Sequence, residues 1–119
     1  MEKKSVDPKD AQDNKVMGIL AYLGILVLVP LFAAKESPFA RFHANQGLVL
    51  CIAMIALYIV IGILAYISAF INVFLAALVG FLYFIVWIGW LVFIIIGIIS
   101  ASKGELKELP LIGKITILK

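Results

Sequence analysis

Two stretches of this chain carry no charged residue: Val16 to Ala34, 19 residues long, and Gly47 to Ser102, 56 residues long. At about 1.5 Å of rise per residue, the first is long enough for one helix across a hydrocarbon core of about 30 Å. It is the expected first span, with Pro30 near its end, where a kink is tolerated because freed carbonyls reach the interface. A secretory signal fits the same stretch less well. The segment before it carries as many acids as lysines, the run exceeds the usual apolar region of a signal, and no A-x-A cleavage string follows.

In the second block the polar interruptions are Ser68, Asn72 and Ser100, and glycines stand at positions 62, 80, 89 and 97. A helical hairpin turning near Ser68 to Asn72 accommodates the block with two long helices. The expected spans are then residues 16–34, 44–67 and 73–101, with Gly89 as the bend of the last. A fourth span, made by a further turn near Val86 to Trp90, is the alternative. It would move Tyr83, Trp87 and Trp90 toward an interface and divide Lys and Arg more unequally between the two faces. It would also leave a final helix of only about 14 residues, so three spans are preferred. That topology places the N-terminus outside and the stretch after Ala101 in the cytoplasm.

The flanks are polar. Met1 to Lys15 mixes lysines with Glu2, Asp7, Asp10 and Asp13 around Pro8 and has no apolar period, which reads as a mobile tail. Between the blocks, Ser37 followed by Pro38 has the cap and first-turn pattern of a helix start. After the last block, Lys103-Gly104 has the pattern of a helix stop. The strings Leu109-Pro110-Leu111-Ile112 and Ile115-Thr116-Ile117-Leu118 are too apolar for a free tail and too short to cross, so they are expected along the interface. The domain organisation is thus a polar tail over 1–15, a transmembrane helical domain over 16–102 and an interfacial C-terminal tail over 103–119. The fold class is all-α: an integral membrane helical bundle of three transmembrane helices, four being possible.

Composition sharpens this picture. Of 119 residues, 65% are hydrophobic and 14% charged, a balance that a water-soluble domain of this size cannot hide. The net charge of +3 comes largely from lysines in the two tails, which suits anionic headgroups; no dense basic stripe exists, so nucleic acid is not an expected partner. The single cysteine, Cys51, excludes a disulfide framework within the chain.

In lipid, helices associate through small residues that admit close backbone approach. Candidate packing positions are Gly62 with Ala65 and Ala69, Ala76 with Gly80, and Gly89 with Gly97 and Ala101, although glycine and alanine are common in membrane helices in any case. The densest polar cluster near an apolar block is Arg41, His43, Asn45 and Gln46, followed by Gly47. On a helix, His43 and Gln46 lie three apart and Arg41 and Asn45 four apart, close enough to touch. One reading is a gate, a site for a headgroup or peptide, or a proton-responsive contact through His43. The other is interfacial anchoring and hydrogen bonding between helices, favoured because no acidic neighbour on the same helix completes a proton relay. Asn72 reads as a turn residue together with Ser68.

No HExxH, CxxC, GxSxG or phosphate-loop string occurs, and no carboxylate lies inside an apolar block. An enzyme, a bound cofactor, a metal site and ion-coupled transport are therefore not expected.

Phe42-His43-Ala44-Asn45-Gln46-Gly47-Leu48, the upstream Ala21-Tyr22-Leu23-Gly24-Ile25 with Pro30, and the terminal Ala101-Ser102-Lys103-Gly104-Glu105 with Pro110-Leu111-Ile112-Gly113 resemble a family of small prokaryotic membrane proteins. That family is related to the Tic twenty-kilodalton component of chloroplast import and includes the magnetosome proteins MamF and MmsF. The resemblance covers nearly everything after residue 15. It implies a bundle of three or four spans without catalysis, roles in membrane protein assembly, translocation or organelle organisation, and family-important positions at His43, Gln46 and Gly47.

The expected function is that of a non-enzymatic multi-pass protein of a prokaryotic cell membrane, a small subunit or assembly factor in contact with the bilayer and with a membrane protein partner or further copies of itself. The alternative is a homo-oligomeric pore or carrier, which needs Ser68, Asn72 or His43 to face water.

Overall fold

The computed structural model describes residues 7–115. The described residues contain helices and turns and no strand: α1 (Pro8–Asp13), α2 (Lys15–Leu20), a 3-10 turn (Gly24–Val27), α3 (Leu28–Ala33), α4 (Pro38–Ile71) and α5 (Val73–Ser102). Expectations for residues 1–6 and for the 116–118 string lie outside the described residues.

Within the stretch read as a polar tail, Asp7 and Pro8 start α1. The Asp7 side chain accepts from the Lys9 amide at 3.0 Å, and Pro8 occupies the first turn, where its missing N–H leaves no gap.

The expected first span over 16–34 is corrected. Its hydropathy suits a crossing, but its backbone does not form one helix: α2 ends at Leu20, and Gly24 adopts φ +67°, a left-handed conformation that stops a right-handed helix and that glycine adopts without strain. Pro30 falls in the first turn of α3, where it displaces no intrahelical hydrogen bond. The ends of the segment also come together. The Asp10 carboxylate accepts from Ser37 Oγ at 2.6 Å and from the Phe39 amide at 3.0 Å, a closure that a helix crossing about 30 Å of hydrocarbon excludes.

Two helices, α4 and α5, are long and apolar enough to cross a membrane. Ser37 starts α4 by accepting from the Ala40 amide through Oγ at 3.0 Å, as its position before Pro38 foretells. Asn72 alone separates the two helices. Its amide closes the last turn of α4 onto the Ser68 carbonyl, and its Oδ1 accepts from the Leu75 amide at 2.8 Å, capping α5. Helix α5 runs through Val86 to Trp90 without a turn, so the extra reversal of the four-span alternative is absent.

The chain divides into two compact units. The hairpin unit, Ile52–Val92, consists of the parts of α4 and α5 that flank Asn72. Tyr58 and Tyr83 stack at 5.5 Å between its two arms, the Tyr83 hydroxyl donates to the Tyr58 carbonyl at 3.2 Å, and Trp90 meets Tyr58 edge-on. These contacts explain why aromatic residues occur in mid-helix: Tyr83 spends its polar group on the opposite arm. Gly62 lies beneath that hydroxyl, where a Cβ would stand 2.8 Å from it. Most other side chains of the unit are exposed and apolar, among them Ile59, Ile63, Phe70, Phe74 and Phe81.

The terminal unit contains the chain up to Cys51 and from Phe93 onward. Most of the buried residues lie here, where Tyr22, Phe39 and Leu50 form a core with His43, Asn45 and Gln46.

Candidate functional site

The cluster read from the sequence lies on the first three turns of α4, in the core of the terminal unit. His43 and Asn45 are fully buried and Gln46 is 1% exposed. Burying three polar side chains costs several kcal/mol unless each finds hydrogen-bond partners, and here each does.

The partners are not the neighbours one turn away. His43 is held between two distant parts of the chain: Nε2 lies 2.7 Å from the Glu105 carbonyl and Nδ1 lies 2.6 Å from the Tyr22 hydroxyl. A carbonyl only accepts, so Nε2 carries the proton and donates; in the neutral ring Nδ1 then accepts from the Tyr22 hydroxyl. Phe39, Phe42 and Tyr22 surround the imidazole edge-on, with ring centroids 4.7 to 5.5 Å away.

Gln46 uses both ends of its amide on the segment after α5. Its Oε1 accepts from the Leu109 amide at 2.9 Å and its Nε2 donates to the Gly113 carbonyl at 2.8 Å. Asn45 donates to the Ile115 carbonyl at 2.9 Å. His43, Asn45 and Gln46 of α4 thus bind main-chain groups of residues 105 to 115, with buried Leu109 as the apolar anchor of the strap. Ser100 supports its start, accepting from the Lys107 amide and donating to the Glu105 carbonyl, both at 3.4 Å. Helix α5 ends as its sequence indicates, with Gly104 at φ +72° and its amide on the Ala101 carbonyl.

Arg41 is half-buried on the same helix. Gly47 is where α2 reaches α4: a Cβ there would run into the Ala21 carbonyl. Gly97 is equally constrained, since its Cβ would enter the Tyr22 ring. Among the described residues, a Cβ at Gly80 or Gly89 would meet nothing within 4 Å beyond its own helix, and half-buried Ala76 lies on the same helix. The small residues at 47, 62 and 97 therefore serve close approach within the chain, whereas those at 80 and 89 do not.

Two residues of the site escape a reading of the sequence alone, Asp10, which there is a charge of the polar tail, and Gly18, while Tyr22 enters it only within the family-like string Ala21-Tyr22-Leu23-Gly24-Ile25. Gly18 in fact packs against Phe39, where a Cβ would lie 2.9 Å from the ring, and against His43. A signal is present: Gly18 and Ala21, three apart, form a small-residue face beside the one polar aromatic of the segment.

Ser68 Oγ donates to the Leu64 carbonyl of its own helix at 2.7 Å, Asn72 caps α5, and His43 is enclosed. Of the polar groups that a pore would present to water, His43 is enclosed, while Asn72 is exposed with its Oδ1 engaged as a helix cap. Among the described residues, no group of three or more His, Cys, Asp or Glu side chains is arranged to hold a metal ion. A shallow surface cleft lined by Asp10, Asn14 and residues 32–37 lies in the same unit, and Asp10 already gives both its oxygens to Asn14, Ser37 and Phe39 there.

Comparison with known proteins places this architecture. Residues 13–116 match the model of the magnetosome magnetite crystal formation protein family, MamF/MmsF. The magnetosome protein MmsF of Paramagnetospirillum magneticum is 34% identical over 98 residues, covering 82% of this chain and 80% of the relative. A UPF0132 membrane protein of Methanocaldococcus jannaschii is 33% identical over 105 residues, covering 87% and 84%. The magnetosome protein MamF of Paramagnetospirillum magneticum is 33% identical over 103 residues, covering 82% and 78%. No solved structure matches the chain. These relatives bear out the magnetosome part of the expected resemblance; the Tic relationship is not among what they show. With a family match over nearly all of its length and relatives that are membrane proteins, the chain belongs to the MamF/MmsF family of membrane proteins.

Proposed function

We propose that this protein is a non-enzymatic integral membrane protein that works as a small subunit or assembly factor of a membrane complex. Its α4–α5 hairpin is the bilayer anchor, the 34 and 30 residues of the two helices exceeding the roughly 20 that a core of about 30 Å requires. The terminal unit is the part that meets other components. The observation that carries this reading is the Gln46 amide: a buried, doubly engaged side chain that fixes a backbone strap is built for shape. Its neighbour His43 likewise has both ring nitrogens hydrogen-bonded to internal partners, so that the buried ring ties separate parts of the chain together.

Support comes from the family description, which names magnetite crystal formation, from the relatives named as magnetosome proteins, and from the Methanocaldococcus relative named as a membrane protein. A shared task compatible with all of these is the organisation of a membrane and of the proteins in it.

The test is extraction of the tagged protein from its native membranes in mild detergent, native sizing, and mass spectrometry of what co-migrates. The reading expects a stoichiometric membrane protein partner that is lost when the chain is truncated after Gly104, with both long helices still inserted. A chain that migrates alone, or that keeps its partner after truncation, contradicts it.

A further inference from the structure

The segment between Lys15 and Lys35 is uncharged over its whole length yet is not a transmembrane helix. Its path follows from its contacts with α4. Asp10 meets Ser37 and Phe39, Gly18 faces Phe39 and His43, and the Ala21 carbonyl lies against Gly47. The chain therefore runs alongside α4 from the level of Ser37 to that of Gly47, a distance of about 15 Å at about 1.5 Å per residue. It turns at Gly24 and returns through α3 to Ser37, whose amide bonds the Ala34 carbonyl. The excursion is about half the thickness of a hydrocarbon core.

One face of this excursion is buried through Ala21, Tyr22, Val27 and Pro30. The other exposes Leu23, Ile25, Leu26, Leu28, Val29 and Phe32, with Ile25 at the turn 76% exposed and Phe32 65%. No polar side chain interrupts that face. Around the turn the amides of Ala21, Tyr22, Leu23 and Leu26 bond carbonyls three or four residues earlier, which reduces the number of backbone groups that lipid would leave unpaired. Charges stand only at the two ends, on Lys15 and Lys35, both exposed and able to extend to headgroups.

We propose that α2, the 3-10 turn and α3 form a one-leaflet insertion, entering and leaving the membrane on the same face, with the acyl chains of that leaflet covering the Leu23–Phe32 side. The chain then anchors itself twice, by a crossing hairpin and by an apolar wedge confined to a single leaflet. This inference rests on the membrane reading above.

The experiment uses single cysteines in a Cys51→Ala background, reconstituted into sealed vesicles of defined sidedness. Lys15→Cys, Lys35→Cys and Lys107→Cys should all react with an impermeant maleimide from one face. Ile25→Cys and Leu26→Cys should stay unreactive until detergent is added, and a fluorophore placed there should be quenched by a nitroxide on the acyl chains. Reaction of Lys15→Cys and Lys35→Cys from opposite faces would overturn the proposal in favour of a full crossing. Rapid aqueous labelling at both Ile25→Cys and Leu26→Cys would also overturn it, placing that face in water or against a protein partner. Asn72→Cys separates the two readings: labelling from the same face as Lys107→Cys removes the crossing hairpin, while quenching at Ile25 still decides the insertion.

Discussion

The Tyr22 hydroxyl and His43 Nδ1, 21 residues apart in sequence, lie 2.6 Å from each other in the core of the terminal unit. With Nε2 on the Glu105 carbonyl, this bond makes His43 the point where α2, α4 and the strap after α5 are joined. Replacing Tyr22 by Phe keeps the ring that Gly97 accommodates but strands the Nδ1 acceptor. The expected loss is about 1–3 kcal/mol, read as a lower midpoint of thermal denaturation in detergent. An unchanged midpoint would mean that water or another group supplies the missing proton.

Gln46→Ala removes both partners of the strap at once, leaving the Leu109 amide and the Gly113 carbonyl without their side-chain partner. The strap should detach before the rest of the protein unfolds, because α4 itself loses little from an alanine in its interior. Limited trypsin digestion checks this. Cleavage after Lys107 should accelerate in the variant while the hairpin stays protected in the membrane, and equal cleavage rates would show that His43, Asn45 and Leu109 hold the strap without Gln46.

Glycine substitutions should divide by their surroundings. Gly47→Ala forces a methyl group into the Ala21 carbonyl and Gly97→Ala one into the Tyr22 ring, overpacking that costs about 1–3 kcal/mol or more. Gly80→Ala and Gly89→Ala meet nothing among the described residues beyond their own helix and gain helix propensity, so they should be neutral or stabilising by up to about 1 kcal/mol. Thermal midpoints of the four variants in one detergent provide the comparison. Strong destabilisation at 80 or 89 would reveal a contact outside the single chain.

Asp10 is as important to the start of α4 as the helix's own cap. Its carboxylate takes the Phe39 amide and the Ser37 hydroxyl, while Ser37 Oγ takes the Ala40 amide. Asp10→Ala should therefore cost about 1–2 kcal/mol, in the range of a lost helix cap. It should also free α1 for faster amide hydrogen exchange. Exchange confined to wild-type rates would place the anchoring of α1 elsewhere.

Local signals in the sequence carry much of the helical layout. Ser37-Pro38 marks the start of α4, Gly104 the end of α5, and Asn72 the reversal between them, each because a side chain or a glycine φ acts on its immediate neighbours. The break at Gly24 is hidden because hydropathy reports the preference for lipid and says nothing of backbone direction; an uncharged run reads alike whether it crosses or doubles back. The polar cluster is visible as composition, while its partners are not. Its bonds go to main-chain groups 62 to 70 residues away, and backbone amides and carbonyls leave no mark in a sequence. Asp10 and Gly18 are hidden for a related reason, since each acquires meaning only once α1 and α2 lie along α4.

The central proposal is that α4 and α5, the two helices long and apolar enough to cross a membrane among the described residues, are the crossings, so that the segments before α2 and after α5, both in the terminal unit, would share one side of it. The most direct measurement fuses a compartment-sensitive reporter to either end of the chain and determines on which side each is active. Both reporters on the same side is the predicted result. Reporters on opposite sides would restore an odd number of crossings and contradict the account.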